Sequence, residues 1–186
     1  AIISLADSGA ADQYFLLRIQ GSSEDVTATT RQGSTANHNA PTKPTNGKWH
    51  HGAAVFATTS SRIAYIDGST SGSNTSSKTP TSIDDTGIGR NVDSSPSEYF
   101  DGEIAEAAIW NVALTPAEVA SLAAGFSPLF IRPDALKAYW PLGGALSGND
   151  SDTDIMGTYQ MTANGSPTTA DSPAIIYPTS VISVVV

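Results

Sequence analysis

The acids offer the first chemistry to test. Glycoside hydrolysis needs two carboxyl groups facing one sugar, roughly 5–9.5 Å apart. On a strand that means positions i and i+2 or i+4. Glu103 and Glu106 stand at i and i+3, which sends them to opposite faces, and Ala105 between them carries no acid. A glycoside hydrolase is therefore the weakest of three functional readings. His50 and His51 are adjacent, so on a strand they also diverge, and a two-histidine metal site is not expected. His38, between Asn37 and Asn39, reads as a loop residue without a neighbouring acid. There is no cysteine, hence no disulfide, thiolate metal site or thiol nucleophile. No Gly-x-Ser-x-Gly elbow or phosphate-cradling glycine loop occurs either.

Calcium fits the residue types better, because hard cations take carboxylate and carbonyl oxygens from loops. Two sets are candidates. Asp84, Asp85, Asp93 and Asp101 flank the glycine-bearing segment Gly87–Arg90, and Asp150, Asp152 and Asp154 alternate in a Gly/Asn-rich stretch. The second set begins like an EF-hand loop but has Ile155 at the sixth position and Met161 at the twelfth, where Gly and Glu belong. Ordinary turn chemistry of Asp is the competing explanation for both sets. Among the aromatic residues Tyr99, Phe100, Trp110, Tyr139 and Trp140, the first two and Trp140 are candidates for a sugar-stacking surface, with core packing as the alternative. Three Asn-x-Ser/Thr matches, at Asn74, Asn149 and Asn164, are expected by chance in so Ser/Thr-rich a chain.

These residues need strands to hold them. Tyr14–Ile19 is a β-rich apolar run, and Ser22 to Asn46 reads as a polar stretch closing on the turn pair Asn46-Gly47. Trp49–Ala57 is the next expected strand, with Trp49, His51, Ala53 and Val55 on one face and His50, Ala54 and Phe56 on the other. Arg62–Ile66 should pair with it antiparallel and end at the turn Asp67-Gly68. Ser69 to Ser82 is almost all Ser, Thr, Gly and Asn and reads as a mobile surface loop. Further strands are expected at Gly87–Arg90, Glu103–Trp110 and Leu136–Leu142, and a hairpin at Tyr159–Gly165. One helix is clearly punctuated: Thr115 as N-cap, Pro116 at the first position, Glu118 completing a capping box, and Gly125 as the stop. At two to three turns it is too short to stand alone and must pack on β-structure.

The 186 residues suffice for one domain with a sizeable core. The net charge is −9, and all of it comes from residues 91–186, where Arg132 and Lys137 face eleven acids. That balance argues against a nucleic-acid or anionic-membrane surface. No apolar run approaches the ~20 residues of a membrane span. Many short strands and one small helix make the chain all-β: a two-sheet antiparallel jelly-roll sandwich with one accessory helix.

The segments Trp49-His-His-Gly-Ala-Ala-Val55, Ala64-Tyr65-Ile-Asp67-Gly68, Gly87-Ile-Gly-Arg90, Tyr99-Phe-Asp-Gly-Glu-Ile-Ala-Glu106 through Trp110-Asn111, and Ala113-Leu-Thr115-Pro-Ala-Glu118-Val119 follow one another in order. In that order they resemble the concanavalin A-like jelly roll, in its laminin-G-like branch. The resemblance implies that Trp49, Tyr65, Asp67, Gly68, Trp110, Thr115 and Glu118 are structural. It departs at Ala105, where the family often carries Asp, and at the opening Ala1-Ile-Ile-Ser-Leu5 without Met, which reads as a processed or partial chain lacking its first strands. On this reading residues 1–126 are the jelly-roll core and 127–186 a β-rich extension on the core or on a neighbouring subunit. The extension resembles those that follow such modules in phage and environmental bacterial proteins.

The resemblance implies a non-enzymatic structural or interaction module of a virion or other surface assembly, contacting copies of itself or other surface proteins. A carbohydrate-binding module of a larger secreted protein is the alternative. The sticky close Val181-Ile-Ser-Val-Val-Val186 is expected to cover a sheet edge, in its own chain or a neighbour's.

Overall fold

The computed structural model describes residues 1–142, 154–164, 168 and 170–177. Nine strands and one α-helix are defined among them: β1 Ile3–Ala6, β2 Gln13–Ile19, β3 Val26–Gln32, β4 Ser34–Asn39, β5 Gly52–Thr58, β6 Ser61–Ile66, β7 Asp85–Ile88, β8 Ala107–Trp110, α1 Pro116–Ala123 and β9 Leu136–Trp140. Every strand pair is antiparallel. Five strands form one sheet in the order β4-β3-β2-β1-β7, while β5-β6 and β8-β9 form two-stranded ribbons. The chain is thus the all-β sandwich with one short helix that its strand spacing indicates.

The β5-β6 hairpin is the middle layer, and its period of two explains why. Ala54, Phe56, Ala64 and Ile66 face the five-stranded sheet and pack on Leu17, Val26 and Ala28. Phe56 meets Phe15 of that sheet edge-on, with ring centroids 5.0 Å apart. The alternate residues, Ala53, Val55, Ile63 and Tyr65, turn the other way onto Leu114, Val119, Leu122, Ile131 and Trp110. The helix therefore closes the sandwich through one face. The hairpin continues into a two-residue turn, with Asp67 at φ 48° and Gly68 at φ 78°. Paired bonds between Ile66 and Ser69 close it. Both central positions need positive φ, which the Asp-Gly pair supplies at low cost.

Helix α1 has the expected cap. Thr115 Oγ1 accepts from the Glu118 amide at 3.3 Å, and Glu118 Oε2 accepts from the Thr115 amide at 2.7 Å. Arg132 adds a bond from Nε to Glu118 Oε1 at 2.6 Å.

Several expectations give way. The stretch Ser22–Asn46 is not a loop: it holds β3 and β4. Its threonines are β-branched, and their hydroxyls are satisfied within the ladder: Thr27 and Thr29 donate to Asn39 and Asn37 at 3.1 and 2.9 Å. His38 accordingly lies on a strand, where its Nδ1 accepts the Ala64 amide at 2.9 Å and ties sheet to hairpin. The strand expected at Trp49–Ala57 begins only at Gly52, and Trp49 is 40% exposed. Strand β8 spans half of Glu103–Trp110, because Glu106 takes φ 58° and breaks the extended run. No strand occupies 159–164, and the rest of the proposed hairpin, like Val181–Val186, lies outside the described residues.

The Ser/Thr-rich loop after Ser69 is exposed yet fastened. Arg62, 1% exposed, reaches Asn74 Oδ1 at 2.6 Å, Ser76 O at 2.7 Å, Thr59 O at 3.2 Å and Thr30 Oγ1 at 3.2 Å. A buried guanidinium needs most of its donors matched, and here neutral oxygens match it. Strand β9, beyond residue 126, pairs with β8.

Candidate functional site

On the outer face of the five-stranded sheet, Tyr14 and Leu16 pack against Ala6 and Val92, so the segment after β7 crosses that face. Arg18 follows Tyr14 and Leu16 at period two and shares their side of β2. The crossing segment folds on itself through paired Asn91–Ser97 backbone bonds, then turns sharply at Glu98, φ 52°. Arg18 Nη1 meets Glu98 Oε1 at 2.6 Å. Phe100 is held beyond the turn by its amide bond to Gly89 O at 2.8 Å. Between these fixed points Tyr99 projects into solvent, 70% exposed.

The result is an open trough of about 480 Å³, lined among others by Arg18, Ile19, Glu98, Tyr99, Phe100 and Asp101. Two of the three aromatic candidates, Tyr99 and Phe100, are brought together here. The third is not: Trp140 is 1% exposed and its indole N–H donates to Tyr159 O at 3.0 Å, so it is a core residue. Trp110 is likewise structural, donating to Ile131 O at 2.7 Å. Arg18 and Glu98 escaped sequence reading. Arg18 stands in an apolar strand run, and nothing local signals that Glu98 turns back to meet it.

The acids do not assemble into a metal centre among the described residues, where no three His, Asp or Glu side chains form a group able to hold an ion. Asp84 instead accepts from the Ser8 amide at 2.8 Å and its hydroxyl at 3.1 Å. Asp85 accepts from Thr86 N at 2.7 Å. Buried Asp93 takes Asn91 Nδ2 at 2.8 Å and Ser95 N at 2.9 Å. Asp101 lies apart at the trough. Asp154 accepts four backbone amides, from Tyr139, Met156, Thr158 and Tyr159, at 2.8 to 3.1 Å. Those bonds hold its carboxyl below the usual range despite burial, and they leave it an anchor for backbone rather than for a cation. Asp150 and Asp152 lie outside the described residues.

His50 and His51 serve the Asp67 turn. Thr45 N donates to His50 Nε2 at 2.9 Å, so Nε2 is the acceptor and Nδ1–H points to Asp67 Oδ2 at 2.8 Å. Asp67 Oδ1 also takes the His51 amide at 2.9 Å. Burial lowers the pKa of the His51 ring.

Glu106 is the acid with the most unusual setting. Tyr139 Oη donates to its Oε2, and Tyr177 Oη donates to Oε1 at 3.0 Å. Burial raises its pKa, while the two hydroxyls pull the other way. Glu103 is exposed, and Glu106 is closed in by tyrosines, so the two do not face a common sugar site. The three-residue cluster spans segments 71 residues apart, beyond the reach of any local motif.

A second surface feature lies at the end of α1. Phe126 and Phe130 meet edge-on with centroids 6.0 Å apart, and Phe126 forms a parallel bridge with Ile176. All three are exposed. Among the described residues no helix is long and apolar enough to cross a membrane.

The profile of the concanavalin A-like lectin/glucanases superfamily, in its laminin-G-like form, matches residues 1–120. A search of curated proteins gave no match. Among solved structures, an S-layer domain-containing protein from Clostridium thermocellum is similar at 24% identity and a TM-score of 0.37, over 64% of this chain. The chain spans 60% of that structure's length.

Proposed function

The chain belongs to the concanavalin A-like lectin/glucanase superfamily, and from that premise we propose that it is a non-enzymatic interaction module of a surface assembly, virions included, that packs against further copies of itself. The observation that carries this reading is the exposed apolar strip Phe126–Phe130–Ile176. It is contiguous and held in place: Ser127 N bonds Ile176 O at 2.9 Å, and Ile176 N bonds Gly125 O at 2.8 Å. Contiguous apolar surface of this kind marks a contact site more often than isolated exposed residues do. The sequence that follows, Pro178 to Val186, closes on a β-branched run that is costly to leave bare in water. The placement of Glu106 between two tyrosines supports a role without turnover.

The test is chemical cross-linking of the full chain, of Phe126→Ser/Phe130→Ser, and of a chain ending at Pro178. The reading expects cross-linked species in the parent and marked loss in both variants. Equal cross-linking in all three removes it.

A carbohydrate-binding module is the second reading. The Tyr99–Phe100 trough favours it, because nothing in the core requires Tyr99 to stand so exposed.

A further inference from the structure

We infer that residues 71–79 are an edge guard: a strap laid along β4 that withholds the rim of the five-stranded sheet from strand addition by a second copy of the chain.

The edge comes first. β3 and β4 pair antiparallel, with Thr30 opposite Ala36 and Ala28 opposite His38, and Ala40 N bonds Val26 O at 2.8 Å. Paired bonds fall on every second residue of such a ladder, so Ala36 and His38 direct their backbone groups to β3. The backbone of Thr35, Asn37 and Asn39 therefore faces outward, a row of donors and acceptors that fits another strand. β4 reads Ser-Thr-Ala-Asn-His-Asn, without lysine, proline or acid. It lacks within itself the residues that usually blunt an edge.

The strap supplies what β4 lacks. Asn74 Nδ2 donates to Asn37 O at 2.8 Å and Ser71 Oγ to Asn39 O at 3.4 Å, so two outward carbonyls are taken. At the far end Lys78 brings its ammonium to Ser34 Oγ at 2.6 Å. Gln32 and Thr79 exchange two bonds beside it, at 2.9 and 3.1 Å. A lysine is thus set against the edge from outside rather than from within the strand.

The other layer of the sandwich holds the strap down. Arg62 of β6 and Asn74 form an antiparallel bridge, with backbone bonds of 3.3 and 3.0 Å, and Lys78 N bonds Thr59 O at 2.8 Å. The buried Arg62 guanidinium joins three segments. Its Nε donates to Thr30 Oγ1 of β3, Nη1 to Asn74 Oδ1 of the strap, and Nη2 to Thr59 O and Ser76 O. Small polar residues give the strap no apolar grip, so these bonds are what hold it. A planar fork of five donors reaches all three segments where a lysine would not.

The experiment lifts the strap in the Phe126→Ser/Phe130→Ser background, so that association through the Phe126 strip does not contribute. Asn74→Ala deletes the bonds to Asn37 O and from Arg62 Nη1 and leaves β4 itself intact. Hydrogen exchange across 71–79 should run about tenfold faster, and light scattering should return a mass that rises with concentration. Adding Thr35→Pro should restore the single-chain mass while the strap still exchanges fast. Proline at an outward-facing edge position blocks a new strand without breaking the β3 ladder. Should Asn74→Ala fail to fold, Lys78→Ala, which frees the far end of the strap, is read in the same way. Fast exchange without any rise in mass overturns the guard. Association indifferent to Thr35→Pro lies elsewhere on the chain and overturns it as well. Exchange across 71–79 unchanged by either substitution shows that these bonds do not hold the strap, and the inference falls with them.

Discussion

Tyr177 donates its phenolic hydrogen to Glu106 Oε1 across 3.0 Å, although 71 residues separate them in the chain. The bond joins the returning C-terminal segment to the start of β8. It also occupies one oxygen of the carboxyl that, with Glu103, the sequence tested as a catalytic pair and set aside. The other oxygen is taken by the buried Tyr139 hydroxyl. Tyr177→Phe, which deletes one partner of a partly exposed bond, should cost on the order of 1 kcal/mol. Glu106→Ala strands the Tyr139 hydroxyl as well and should cost about 2–3 kcal/mol. Because burial raises the Glu106 pKa above its ordinary 4.5, its share of stability is complete below that value and fades as pH rises through the folded one. Glu106→Gln, neutral and still an acceptor, should therefore be milder than Glu106→Ala. Urea midpoints of the three variants check the order, and equal costs for all would show that the cluster is not coupled.

His38 gives the fold an opposite pH dependence. Its Nδ1 accepts the Ala64 amide at 2.9 Å, which requires an unprotonated nitrogen, and burial lowers its pKa from the ordinary 6.5. The folded state thus binds fewer protons than the unfolded one, so this stabilisation is present above pH 6.5 and lost as pH falls below it. The buried His51 ring acts in the same direction. The urea midpoint should fall between about pH 7.5 and about pH 5, and His38→Gln should flatten part of that slope. A parent midpoint constant across that range would contradict the account.

The helix cap is the third test. Thr115→Ala leaves the Glu118 amide without its acceptor and should cost on the order of 1 kcal/mol. Three bonds, from the Thr115 amide and hydroxyl and from Arg132, hold the Glu118 carboxyl down to about 2. The cap is complete above the ordinary value of 4.5 and is lost only as pH falls toward about 2. A melting midpoint unmoved by Thr115→Ala at neutral pH would mean that the helix start is not capped by this residue.

Local signals were legible where one short segment decides the outcome. Thr115-Pro116-Ala117-Glu118 states its own cap, Asp67-Gly68 its own turn, and the apolar alternation of residues 53–56 its two packing faces. Strands β3 and β4 were hidden because their threonines and asparagines bond one another across the ladder, so a buried strand carries a polar composition. Half of the candidate site was legible for the same reason. Tyr99 and Phe100 are neighbours in sequence, whereas Arg18 reaches Glu98 only because the post-β7 segment crosses β2, a long-range fact. Trp140 was misplaced because an aromatic strand residue looks the same whether it faces solvent or core, and its burial depends on residues near Tyr159. The aspartates were ambiguous in the same way, since turn anchors and cation ligands share one residue type; among the described residues Asp84 and Asp93 bond neighbouring amide and side-chain groups.

Self-association is the central claim, and the mass of the full chain in solution measures it directly. Light scattering coupled to size exclusion, run over a range of loading concentrations, should return a mass that is a multiple of 19.2 kDa and rises with concentration. The Phe126→Ser/Phe130→Ser variant, unchanged in its melting midpoint, should elute at the single-chain mass under the same conditions. A parent mass of 19.2 kDa at every concentration would contradict the claim.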